Sequence, residues 1–131
     1  MKLNPECIRD VMLDLEENLD VRGGLMLVPA LEKGELKRIK KHNFEDIIYT
    51  CKKLNEANFI TFSTNICAAP NPYVFSKVGT ITWSGHQFLD DIRDEKVWRD
   101  VKQTASKVSS VSIPILQQIS AAVIARFLGL A

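Results

Sequence analysis

Three cysteines, Cys7, Cys51 and Cys67, are an odd number at no recurrent spacing, which argues against a closed disulfide framework and against a Cys-x-x-Cys metal knuckle. A reducing cytoplasm is therefore the expected compartment. Neither sign of charge is in excess, since 17 Lys and Arg stand against 16 Asp and Glu. The whole chain is thus neither a basic nucleic-acid coat nor an acidic tail, and only a local patch remains open. Glycine is scarce, and the Gly23-Gly24 pair precedes a strand pattern rather than a helix, the wrong context for a phosphate-cradling loop. The opening Met-Lys-Leu-Asn-Pro-Glu puts a proline and an acid where a signal peptide needs apolar residues, so export is not expected. The C-terminal run, residues 113–131, carries only Arg126. Gln117, Gln118 and Ser120 interrupt it, and Leu116, Ile119, Val123, Phe127 and Leu130 recur at helical spacing. That pattern predicts a helix buried on one face and no membrane span.

What is present fits one domain: 131 residues with 46% hydrophobic content are enough for one sizeable core and too few for two. Asn4-Pro5-Glu6 is a helix start, followed by Ile8, Val11, Met12, Leu15 and Leu19 on one face, with Arg22-Gly23-Gly24 as the exit. Leu25–Val28 reads as a short edge strand stopped by Pro29, and Lys33–His42 as a loop or short helix. Asn43 with Asp46 caps a helix bearing Phe44, Ile47, Ile48, Cys51 and Leu54, which ends near Asn58. Phe59–Thr64 predicts a strand, Ile66–Tyr73 a proline-broken loop, and Val74–Trp83 the returning strand. Ser84 with Gln87 is expected to cap a helix carrying Phe88, Leu89 and Ile92. Asp94 caps the next, with Val97, Trp98, Val101, Ala105 and Val108 inward, and Ser112-x-Pro114 opens the last. The fold expected is mainly α with a small antiparallel β-hairpin (α+β). Its order matches a winged helix-turn-helix over residues 1–93, with a C-terminal helical extension over 94–131 packed on it.

Three segments carry a family resemblance. The opening Lys-Leu-Asn-Pro-Glu-Cys-Ile-Arg-Asp, the stretch Ile48–Ile60, and above all Ile81-Thr-Trp-Ser-Gly-His-Gln-Phe-Leu-Asp90 followed by Val97-Trp98 resemble the domain of unknown function 2513 family, a small bacterial and prophage family. The resemblance covers most of the chain and implies a winged-helix domain in a phage-linked setting. It brings no established activity and so no catalytic residues. Asn58 stands where the family usually has a glycine, and Thr50 where a histidine often follows the tyrosine.

No catalytic constellation emerges, so neither an enzyme, a cofactor nor a metal is expected. His86 and Asp90 lie four apart on one helix face but lack further ligands at fixed spacing. Cys7 and Cys51 read as small core residues, and Cys67 as a loop thiol. The segment Lys33, Lys37, Arg38, Lys40 and Lys41, less Glu35, gives five cations minus one acid, +4, just before the recognition-position helix. In a winged helix this connector approaches the DNA backbone. Tyr49, Thr50, Lys52 and Lys53 are expected to face outward from that helix toward bases or phosphates, and Lys77 to stand on the wing. Glu45 and Asp46 oppose this at the end nearest the groove. Double-stranded DNA is the expected partner, with a protein-binding adaptor on the same fold as the alternative. Pairing of the last helix across a homodimer is also expected.

Overall fold

Asn4 opens the first helix, α1 (Pro5–Asn18), by accepting the Glu6 amide on its side chain at 2.9 Å. The computed structural model describes residues 1–130; the final residue of the expected 94–131 extension, Ala131, lies outside them. Cys7, Ile8, Val11, Met12 and Leu15 are buried as their spacing predicts, and so are Arg9, Asp10 and Asp14. A helix with polar residues buried beside its apolar face is packed on more than one side.

Strand β1 (Leu25–Met26) is shorter than expected, and Pro29 does not end it. Pro29 lies instead in the first turn of α2 (Leu27–Glu32), where its missing N–H would have had no helical partner. After a single 3-10 turn at Ile39–Lys41 comes α3 (Phe44–Glu56), capped by Asn43, whose side chain accepts the Asp46 amide at 2.8 Å. Asn58 takes the left-handed φ of 65° that turns the chain out of α3. Strands β2 (Ile60–Ser63) and β3 (Lys77–Ile81) pair antiparallel, and β1 adds to the other side of β3, so the sheet has three strands in the order β1-β3-β2. The free edge of β2 is blunted, because the Phe62 amide donates to Asn55 Oδ1 at 3.1 Å.

The returning strand stops two residues before Trp83, which is the first residue of α4 (Trp83–Ile92). The cap is Thr82 rather than Ser84: its hydroxyl accepts the Gly85 amide at 3.1 Å and donates to the Asn58 carbonyl at 2.6 Å. Two hydroxyl residues stood near this start, and the one that also reaches the α3 exit holds it. Asp94 caps α5 (Glu95–Ala105) and Ser112 caps α6 (Ile113–Phe127), as expected. Val108 is 55% exposed because α5 ends before it. On α6, Leu116 and Val123 are buried in the shared core against α4 and α5, together with Ile113 and Ser120, while Phe127 at its end and Leu130 beyond it are exposed. The apolar face foreseen for a dimer is therefore largely used within the chain. One core runs from Cys7 in α1 to Val123 in α6. The result is a mainly helical α+β fold, and no helix among the described residues is long and apolar enough to cross a membrane.

Gly85 marks the tightest seam. A Cβ there would lie 2.0 Å from the Phe59 carbonyl oxygen, a backbone atom that cannot yield without moving the strand. Gly85→Ala is expected to lower stability by about 3 kcal/mol. Gly34→Ala meets nothing within 4 Å and is burdened only by its φ of +74°, so it should cost about 1 kcal/mol. Urea unfolding of both variants checks the pair, and equal costs would mean that α4 is not seated on the Phe59 backbone.

Candidate nucleic-acid interface

The connector between α2 and α3 is held by carboxylates of α1. Leu36 and Ile39, each 1% exposed, pin it to the core. Asp14, with no exposed surface, accepts the Arg38 and Ile39 amides at 3.0 Å each and the Arg38 Nη1 at 2.8 Å. It thus acts as a remote cap for the 3-10 turn. Arg38 also donates to Glu17 at 3.0 Å, and the bonds to Glu17 and Asp14 raise its pKa above the ordinary arginine value. Asp10 takes Lys41 at 3.2 Å and lies 2.8 Å from His42 Nε2. Arg38 and Lys41 are therefore engaged with α1, whereas Lys33, Lys37 and Lys40 are exposed, with no carboxylate within 4 Å among the described residues.

The same division runs along α3. Thr50 does not face outward. It is 2% exposed and donates its hydroxyl to Cys7 Sγ at 3.4 Å across the α1–α3 seam, because it falls on the side of α3 packed against α1. Tyr49 is half-buried, Lys53 lies 5.4 Å over its ring and pairs with Glu56 at 2.8 Å, and Lys52 lies 5.3 Å over Tyr73. Tyr73 belongs to the β2–β3 loop, which folds back so that its ring meets Phe44 at 6.2 Å. Met1, Glu45, Tyr49, Lys52 and Tyr73 line a hollow of about 210 Å³ between helix and loop. Lys77 is exposed at the base of that loop, opposite Ser63. Lys37, Lys40 and Lys77 are thus exposed, Lys52 is half-buried over Tyr73, and Thr50 is withdrawn.

Other candidates resolve differently. His86 and Asp90 are exposed on α4, and Asp90 binds Arg93 at 2.5 Å. Burial raises the pKa of both the Cys7 and Cys51 thiols, which sets them apart from reactive thiolates. Sequence reasoning missed the polar work of α1, although Asp10 and Asp14, four residues apart, were a legible pair on one helix face. It also missed the fully outward Trp83, 79% exposed.

A mainly helical α+β domain, with a three-stranded sheet and a basic connector latched to its first helix, is the class that fold and surface define. The chain belongs to the DUF2513 family, described as "Hypothetical protein (DUF2513)", whose sequence profile matches residues 2–112. It is also 29% identical over 130 residues to an uncharacterized protein of Haemophilus influenzae, across 98% of this chain and 100% of that one. No solved structure matches it. The family match ends at Ser112, the cap of α6, while the similarity to the Haemophilus protein continues through that helix.

Removing the Asp14 carboxylate leaves two buried amides without their acceptor and frees Arg38 from its inner partner. Asp14→Ala is expected to cost about 3 kcal/mol. Amide exchange should rise at Arg38 and Ile39 before it rises elsewhere. Unchanged protection at those two amides would show that Leu36 and Ile39 hold the connector unaided.

Proposed function

We propose that the chain is a winged-helix DNA-binding protein, acting without catalysis in gene regulation, in the cytoplasm and in the phage or prophage setting that its family resemblance implies. The observation that supports this is the order α1-β1-α2-α3-β2-β3 with β3 central in the sheet. In that arrangement α3 is the recognition helix of a helix-turn-helix, and the β2–β3 loop is the wing. Lys37 and Lys40 meet phosphates, Tyr49, Lys52 and Lys53 face the groove, and Lys77 serves the wing. Arg38 and Lys41 chiefly set the connector's path. A second reading, a protein-binding adaptor on the same fold, is favoured by Trp83, a 79% exposed side chain of the type that anchors protein interfaces.

A mobility-shift series across salt separates the two. About three phosphate contacts on this surface contribute roughly −3 to the slope of log affinity against log salt. Lys37→Glu with Lys40→Glu should flatten it and weaken binding to all sequences alike. No shift of any duplex below about 50 mM salt, where the electrostatic attraction is strongest, would transfer the function to the adaptor.

The expected homodimer rests on what α6 and the residues after it leave outside: Ile115, Phe127, Leu128 and Leu130 are all more than 40% exposed. Light scattering at micromolar concentration should give twice the 14.8 kDa of one chain, falling to a single chain on Phe127→Glu. A single-chain mass for the native protein removes the dimer.

A further inference from the structure

We infer that the outer face of α5 is a second contact surface for the DNA backbone, beside the surface of α3. The inference rests on the DNA-binding reading and extends its footprint. Helix α5 buries Val97, Trp98, Val101 and Ala105, and the opposite side presents Lys96, Arg99 and Gln103, with Lys107 continuing the line just past the helix end. Among the described residues, Lys96, Arg99 and Lys107 have no carboxylate within 4 Å, whereas Arg9, Arg22, Arg38 and Arg93 are all paired. The acids of α5 do little to offset these cations. Asp94 is spent on the helix's own amides, Glu95 on Arg9, and Asp100 sits half-buried at the edge of the stripe.

The Gln103 end of the stripe comes toward the α3 surface through the first residues of the chain. Met1 lines the hollow that holds Glu45, Tyr49 and Lys52 of α3. Two residues later, Leu3 lines a groove of about 550 Å³ together with Lys102, Gln103 and Ser106 of the α5 end. Two residues of extended chain span roughly 7 Å, about two base-pair steps of a DNA strand at 3.4 Å each. Exposed Lys2 stands between. Of the two acids in this region, Glu45 is exposed on the hollow, and Glu6 is answered on two sides: Lys102 bonds it at 3.0 Å, and Lys41 of the connector also acts on its charge. A backbone leaving the α3 groove on this side thus passes Glu45 and then meets Lys2 and the cations of α5.

The stripe suits a polyphosphate backbone better than a lipid surface. A membrane-lying helix must turn its apolar side outward, and α5 has spent its apolar side on the core.

The test uses the full chain carrying Lys96→Glu, Arg99→Glu and Lys107→Glu, with a parallel variant carrying Gln at the same three positions in case the reversed charges impair folding. Fluorescence anisotropy on labelled duplexes across salt should show the slope reduced in magnitude by about 2 to 3. The affinity loss should be equal on every sequence, with thermal unfolding unchanged. A slope identical to that of the native chain in a folded variant overturns the inference. If Lys37→Glu with Lys40→Glu weakens binding while the α5 variants do not, only the α5 surface falls and the DNA reading stands. If the native chain binds no duplex below about 50 mM salt, both fall. Loss of binding to phosphatidylserine vesicles with an unchanged DNA slope would assign the stripe to a membrane and overturn the inference as well.

Discussion

The arrangement turns on a carboxylate with no exposed surface, Asp14 in the middle of α1. A buried charge is tolerated only when partners replace the water it has lost, and here two amides and a guanidinium do so. Because those partners all come from the connector, the demand of one side chain dictates where residues 38 and 39 must run. Asp10, one helical turn earlier, repeats the device with Lys41 and His42. Asn43 then caps α3 immediately after this anchored segment. The angle at which α3 leaves α1 is therefore set by polar groups as much as by the apolar seam of Cys7, Ile47 and Cys51.

The other side of α1 does the same for the C-terminal half. Arg9 donates to the carbonyls of Ile92 and Arg93, the orphan acceptors at the end of α4, and its guanidinium lies 5.6 Å over the Trp98 ring. Glu6 receives the Trp98 indole and the Lys102 ammonium. A single helix thus ties the connector on one flank and the α4–α5 corner on the other. Its polar residues choose among packings that an all-apolar α1 would leave nearly equal, which accounts for charge in a place where oil alone would be cheaper to bury.

Local signals were the legible ones. The caps at Asn4, Asn43, Asp94 and Ser112, the exit at Asn58 and the core faces of α3, α4 and α5 follow from spacing, because each depends on residues within one or two turns. The misreadings at Thr82 and Thr50 depend on a distant partner. Thr82 outranks Ser84 because it also reaches the Asn58 carbonyl, 24 residues away. Pro29 looked like a stop because proline is foreign to strands, yet the first turn of a helix accepts it equally well. Thr50 looked outward until α1 was packed against it. The third strand was visible only as a short apolar run, and its partner β3 lies some fifty residues downstream.

The same contrast governs charge. Counted along the chain, the connector carries +4; counted by partners, Arg38 and Lys41 are largely spent on Asp14, Glu17 and Asp10. What remains is Lys33, Lys37 and Lys40 less Glu35, half of the formal excess. Around α5 the relation differs: Asp94 caps the helix, Glu95 pairs with Arg9 and Lys102 with Glu6, while Lys96 and Arg99 are left facing water. A run of like charges is therefore a poor guide to a binding surface. A polyanion responds to the cations that folding has left unpaired, and those are spread over the connector, β3 and the α5 region rather than gathered in the single cluster that a linear reading singles out.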